Sequence, residues 1–148
     1  MIKKSRNVLL LGASGYIGHH VEKKLLELGY NLICTTRKKT ETFALHQRDH
    51  LNSKFYLDWN DKESANDFFK ACPKFDVVIS CIASRSGGIK DSWNIDFNAN
   101  KTVLNLAIEK NAKQFIFLSA ICVQKPKLAF QKAKKAFDDE LIKSPIAY

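Results

Sequence analysis

No apolar run in this 148-residue chain approaches the ~20 residues needed to span a bilayer, so the sequence contains no transmembrane helix. The four cysteines, Cys34, Cys72, Cys81 and Cys122, are widely separated and form no C-x-x-C pair. That excludes the common zinc frameworks and points to reduced thiols. His46 and His50 stand at i,i+4 but have no carboxylate or cysteine partner in the pattern, and no metal site is expected. Internal repeats and low-complexity segments are missing. Lys and Arg outnumber Asp and Glu by 24 to 15, a net charge of +9, yet no basic stripe interleaved with aromatics appears. The lysines are spread over helix faces and chain ends, and no nucleic-acid partner is expected. Met1-Ile2-Lys3-Lys4-Ser5-Arg6 is basic without an apolar segment of signal-peptide type behind it, so no targeting peptide is visible.

What remains is 45% hydrophobic and 26% charged, the composition of one soluble globular domain. Its most informative stretch is Leu11-Gly12-Ala13-Ser14-Gly15-Tyr16-Ile17-Gly18. The apolar run Val8, Leu9, Leu10 and Leu11 before it reads as a buried strand, and Val21, Leu25 and Leu28 behind it mark one face of a helix. In such a G-x-x-G-x-x-G turn each glycine has a task. Gly12 permits the sharp exit from the strand, Gly15 lets backbone approach a pyrophosphate, and Gly18 lets the helix sit close to the sheet. The helix N-terminus then points free N–H groups and its dipole at the phosphates.

The helix closes at Gly29, and Asn31 to Thr36 reads as a second strand. It runs into Arg37-Lys38-Lys39. About 20 residues beyond the glycines an NAD site carries an acidic residue for the ribose hydroxyls, and here stands Arg37, whose guanidinium can fork onto a 2′-phosphate. The cofactor expected is therefore NADPH. Residues 40–53 read as a loop or a short helix, and Lys54 to Leu57 as a third strand. Asp61 is the expected N-cap of a helix carrying Ala65, Phe68, Phe69 and Cys72, stopped by Pro73. Asp76 to Ile82 is a near-continuous apolar strand, as a strand covered on both faces should be. Cys34 and Cys81 are both expected to be buried in strands. The small-residue loop Ala83-Ser84-Arg85-Ser86-Gly87-Gly88 follows at a strand's carboxyl end, where doubly wound sheets bind ligands.

A helix from about Asp91 to Asn111, with Ile95, Ala99, Val103, Leu106 and Ala107 on one face, precedes a fifth strand, Gln114 to Ser119. Ser119 sits at its carboxyl edge. After a loop at Ala120 to Pro126, a further helix runs from about Lys127 to Lys143, with Phe130, Ala133, Phe137 and Leu141 inward. Ser144 to Tyr148 reads as a turn and the opening of a sixth strand. The alternation implies an α/β fold, a doubly wound parallel sheet ordered 3-2-1-4-5 with right-handed crossovers.

GASGYIG (12–18), DVVISCIAS (76–84), SGGIKDSWNIDF (86–97), LSAICVQKP (118–126) and FQKAKKAFDDEL (130–141) together resemble the atypical or extended short-chain dehydrogenases. Within that group they resemble the divinyl chlorophyllide 8-vinyl reductases. The resemblance implies an NAD(P)-binding Rossmann domain over 1–148 and NADPH-dependent reduction of the 8-vinyl group of a divinyl (proto)chlorophyllide to ethyl in chlorophyll biosynthesis. By position Gly12, Ser14, Gly15, Tyr16, Ile17 and Gly18 would hold the pyrophosphate, Arg37 the 2′-phosphate, and Ala83 and Ser84 the adenosine-ribose side. Lys134 would meet the nicotinamide ribose, with Ser119 and Lys134 as the catalytic pair. The tetrapyrrole substrate would occupy a C-terminal lobe that 1–148 does not contain, which makes the chain an expected N-terminal fragment, inactive alone. The expected location is cytoplasmic in a bacterium or plastid in a eukaryote, with at most peripheral membrane association.

The chain departs from the Tyr-x-x-x-Lys pattern of these enzymes, since Phe130 stands where the tyrosine would be. A phenyl ring donates no proton, so the proton must come from elsewhere. That departure also suits a non-catalytic NADP-binding regulator or redox sensor of the same fold, and another atypical reductase is a third reading.

Overall fold

Alternation along the first strand sets up both layers of the molecule. The computed structural model describes residues 6–37 and 52–148, and in it Val8, Leu9, Leu10 and Leu11 of β1 (Asn7–Leu11) are all buried. Successive side chains point to opposite faces. Leu9 and Leu11 join a large core with Ile33, Phe68, Phe75, Val103, Phe115 and Phe137. Val8 and Leu10 join a smaller one with Leu32, Cys34 and Val77, under Val21 and Leu25. Burying each such leucine contributes roughly 2 kcal/mol, so β1 is held from both sides.

β2 (Asn31–Thr36), β3 (Ser53–Tyr56), β4 (Val77–Ser80) and β5 (Gln114–Phe117) complete a parallel sheet in the expected order β3-β2-β1-β4-β5. Ala147 makes one further parallel bridge to Gln114, its carbonyl accepting from the Phe115 amide at 2.9 Å. α1 (Tyr16–Glu27) covers one face. α2 (Lys62–Ala71), α4 (Asn100–Glu109) and α5 (Ala129–Lys143) cover the other. Asp61 caps α2 as expected, its Oδ1 accepting from the Glu63 amide at 3.0 Å. Among the described residues no helix is long and apolar enough to cross a membrane. His46 and His50, and the reading of residues 40–51, lie outside the described residues.

Three local expectations need correction. Leu28, placed on the inward face of α1, is exposed. It is the C-cap, where the chain swings out to Gly29 at φ +78°, so it has left the apolar stripe. Cys81 is only half-buried, because β4 ends at Ser80 and the thiol lies at the strand's open end. The helix expected over 91–111 is three conformations in succession: α3 (Ile89–Ser92), a π-helical segment Trp93–Ala99, and α4. Asn100 Nδ2 donates to the carbonyls of Ile95 (3.3 Å) and Asp96 (3.1 Å), while its Oδ1 accepts from Ser80 Oγ at 2.5 Å. A side chain that takes two carbonyls of the preceding turn widens that turn.

The tightest packing is at the first turn. A Cβ on Gly18 would lie 2.0 Å from the Gly12 carbonyl oxygen and 2.7 Å from its carbon. Gly12 itself has φ +80°, where side chains other than glycine are strained. Gly18→Ala should therefore cost about 3 kcal/mol or more. Gly15→Ala, whose Cβ would meet only the Gly12 oxygen at 3.3 Å, should cost well under half of that. Urea unfolding of the two variants checks this ordering, and equal midpoints would contradict it.

Candidate functional site

The carboxyl ends of β1, β2, β3 and β4 enclose a cavity of about 550 Å³. The first turn supplies Gly12, Ser14 and Gly15. The end of β2 supplies Thr35, Thr36 and Arg37, and the segment behind β3 supplies Leu57, Asp58, Trp59 and Asn60. Cys81, Ile82, Ala83 and Arg85 line it from the end of β4, with Asp91 and Ile95 from the helix beyond. A doubly wound sheet places its ligand at this edge, where the strand order reverses beside β1.

At the turn, the Gly15 amide donates to the Gly12 carbonyl at 3.0 Å, and Gly15 is the N-cap of α1. The amides of Tyr16, Ile17 and Gly18 then head a twelve-residue helix with no helical carbonyl four residues behind them. Gly15 has φ −83°, a conformation open to any residue. Its lack of a side chain therefore leaves space on the cavity side rather than satisfying the backbone. These features fit a pyrophosphate.

The middle of the loop behind β4 is held by the Asp91 carboxylate. Asp91 Oδ2 accepts from the amides of Arg85 and Ser86 and from Ser86 Oγ, each at 2.9 Å. The Ser86 amide and hydroxyl hold the Asp91 carboxyl below its ordinary 3.8, helped by the Arg85 amide and the nearby charge of Arg37. Across the cavity, the Asn60 side-chain oxygen accepts from Asn94 Nδ2 at 2.9 Å, tying the wall behind β3 to the π segment.

Not every residue singled out from the sequence meets at this cavity. Gly12, Ser14, Gly15, Arg37 and Ala83 line it. Tyr16 and Ile17 are exposed on the first turn of α1, and Gly18 is buried beneath it. Ser84 turns toward the helix, its amide donating to Asp96 Oδ1 at 3.2 Å and its hydroxyl 3.4 Å from that of Ser92. Lys134 and Ser119 lie deeper, at the end of β5. The Lys134 ammonium donates to the Leu118 carbonyl at 2.8 Å and stands 3.6 Å from Asp96 Oδ1. Ser119 Oγ donates to Asp138 Oδ2 at 2.7 Å. Burial pushes the Asp138 carboxyl up against that hydrogen bond and the charges of Lys134 and Lys135. Gln131 pins the loop above, Oε1 accepting from the amides of Lys127 (3.0 Å) and Leu128 (3.1 Å) and Nε2 donating to Ile121 at 3.1 Å. Phe130 is half-buried on the same helix.

The sequence reading gave no site role to Asp58, Trp59, Asn60 or Asp91, and it included Arg85 only as part of the ligand-side loop 83–88. Asp58, Trp59 and Asn60 follow the carboxyl end of β3, and that placement was the available signal, whereas Asp91 stands in α3.

The profile of the NAD dependent epimerase/dehydratase family matches residues 8–141. The chain belongs to that family. Its sheet is the family's dinucleotide-binding Rossmann fold. A putative NAD-dependent epimerase/dehydratase from Bacillus halodurans superposes with a TM-score of 0.76 at 21% identity, over 96% of this chain and 67% of that one. WbmH of Bordetella bronchiseptica, solved in complex with NAD+, superposes with a TM-score of 0.69 at 21% identity, over 96% and 54%. In sequence, the chain is 43% identical to the divinyl chlorophyllide a 8-vinyl-reductase, chloroplastic, of Arabidopsis thaliana over 94% of its own length. It spans 35% of that relative.

The loop behind β4 yields a pH prediction. Because the folded Asp91 carboxyl is held below 3.8, its contribution is complete above pH 3.8 and is lost as pH falls through the lower folded value. Amide exchange at Arg85 and Ser86, after correction for intrinsic rates, should stay protected down to that range and open below it. Asp91→Ala should open both amides at every pH. Protection in that variant equal to the wild type would contradict the role given to Asp91.

Proposed function

We propose that the chain is the dinucleotide-binding part of an NADPH-dependent reductase that converts the 8-vinyl group of a divinyl (proto)chlorophyllide to ethyl. The observation that carries the reading is a single cavity with the glycine turn at one side and the Arg37 guanidinium at the other. Backbone amides and a helix N-terminus suit a pyrophosphate, and a guanidinium suits a 2′-phosphate better than a bare ribose diol. Support for the substrate comes from the 43% identity to the plant vinyl reductase. Because about two-thirds of that relative has no counterpart here, the tetrapyrrole pocket belongs, in this proposal, to a further lobe of a longer protein. A plastid location is part of the same proposal.

NADPH, when bound, supplies the hydride. The chain's own residues bind and orient it. Gly12, Ser14 and Gly15 take the pyrophosphate with the α1 amides, Arg37 the 2′-phosphate, and Ala83 the ribose beside it. Asp58, Trp59 and Asn60 form the wall behind β3, and Lys134 with Ser119 forms the nicotinamide end. Phe130 brings no proton to that end, so the proton for the reduced carbon comes from solvent or from the further lobe. The same ring favours the second reading, a dinucleotide-binding regulator without catalysis. Divinyl pigment turnover separates the two.

Two variants test the cavity. Arg37→Asp should weaken NADPH binding by on the order of 2 kcal/mol, about 30-fold, and leave NADH binding intact or tighter. Gly15→Val should abolish binding of both while the fold survives, because the new side chain occupies ligand space. Calorimetric titration reads each, and equal wild-type affinities for NADPH and NADH would overturn the cofactor choice. Chromatography of divinyl chlorophyllide with NADPH should detect turnover by a chain extended to the length of the plant relative and none by residues 1–148. Comparable turnover by both would overturn the placement of the substrate pocket.

A further inference from the structure

Asp96 lies within the stretch SGGIKDSWNIDF but was given no role there, and it is the most deeply buried charged residue among the described residues. Its exposure is 0%. Oδ1 accepts from the Ser84 amide at 3.2 Å and faces Lys134 Nζ at 3.6 Å. Oδ2, equally buried, has no hydrogen-bond partner among the described residues. A buried carboxylate with an unused oxygen depends on a counter-charge, and Lys134, itself 5% exposed, is that counter-charge.

The dependence runs both ways. The ammonium has three donors. One goes to the Leu118 carbonyl at 2.8 Å, and the nitrogen stands 4.7 Å from the centre of the Phe117 ring. Burial pushes Lys134 below its ordinary 10.5, and Asp96 is the chief group opposing it, followed by Asp138 on α5 and Cys81 at the end of β4. If Lys134 lost its proton, Asp96 would be a buried anion with no cation beside it. Asp96 stands in the π-helical segment, its carbonyl accepting from Asn100 Nδ2 at 3.1 Å, and it is buried together with Ser92 and Asn100 one turn to either side. Oδ1 thus receives both the Ser84 amide and the field of Lys134, so one atom sets the loop behind β4 and the lysine behind β5 together.

We propose that Asp96 is a positioning residue for Lys134, keeping its ammonium charged and anchored at the carboxyl edge of β4 and β5, where it meets the nicotinamide-side ribose. The ribose contact rests on the dinucleotide reading of the cavity. The pairing of Asp96 with Lys134 does not.

The test is a nuclear magnetic resonance titration of the Lys134 side-chain Cε and Nζ signals across the alkaline range, in the wild type and in Asp96→Asn, with NADPH affinity measured at each pH. Asp96→Asn should lower the Lys134 midpoint by roughly one to three pH units. NADPH affinity should then fall off at a pH lower by the same interval, whereas a merely structural role would weaken binding equally at every pH. An unmoved Lys134 midpoint in the folded variant overturns the role of Asp96. A wild-type chain that binds no NADPH refutes the cavity reading and the ribose contact with it, leaving the midpoint to decide the pairing. Should Asp96→Asn fail to fold, the wild-type Asp96 carboxyl carbon signal must move as Lys134 deprotonates, and a signal that stays fixed overturns the proposal.

Discussion

The close approach of Gly18 to the Gly12 carbonyl is the constraint on which the rest of the site depends. With only hydrogen on the Gly18 α-carbon, α1 can begin directly beneath the turn that leaves β1. That contact aims the first amides of the helix across the carboxyl edge of the sheet. It also lets Val21 and Leu25 reach the smaller core under Val8, Leu10 and Leu32. The start of α1 beside the cavity and burial of one face of the sheet therefore follow from the same pair of glycines.

A second, polar constraint ties the ends of β4 and β5 to the helices behind them. Ser80 at the end of β4 donates to Asn100, Asn100 takes the carbonyls of Ile95 and Asp96, and Asp96 takes the Ser84 amide and faces Lys134. Lys134 closes the path on the Leu118 carbonyl behind β5. Few of these groups reach water, so each depends on its partner in the low-dielectric interior. The glycine turn fixes the geometry at the end of β1, and this chain of contacts fixes the relative placement of the ends of β4, β5 and α5.

Much of the fold was readable from the sequence because local and long-range signals agree. Buried parallel strands read as apolar runs, Asp61 caps a helix with a short-range side-chain bond, and Gly29 ends one by adopting φ +78°. The glycine turn was readable because its spacing is itself a geometric specification. What escaped depends on contacts distant in sequence. Asp96 sits beside the apolar residue Ile95 in a pattern taken as one helix of a single period. It shares a buried face with Ser92 and Asn100 one turn to either side, but the Ser84 amide and Lys134 that it meets there come from distant segments. Asp58, Trp59 and Asn60 follow a short strand whose neighbours are known only once the sheet is assembled. Leu28 and Cys81 lie one step past the end of their elements, where periodicity stops indicating burial. Lys134 was named from resemblance alone. Its charge environment could not be foreseen, because Asp96, Leu118 and Cys81 come from three different segments.

The central claim is that one dinucleotide lies across the carboxyl edge from the glycine turn to Lys134. The most direct measurement is a map of backbone amide shifts as NADPH is titrated into the protein. The account predicts saturable shifts at Gly12 to Gly18, at Arg37, at Asp58 to Asn60 and at Ala83 to Ser86, with a smaller response at Leu118 and Ser119. Shifts that cluster away from the carboxyl edge, or that spare the Gly12 to Gly18 turn at saturation, would contradict it.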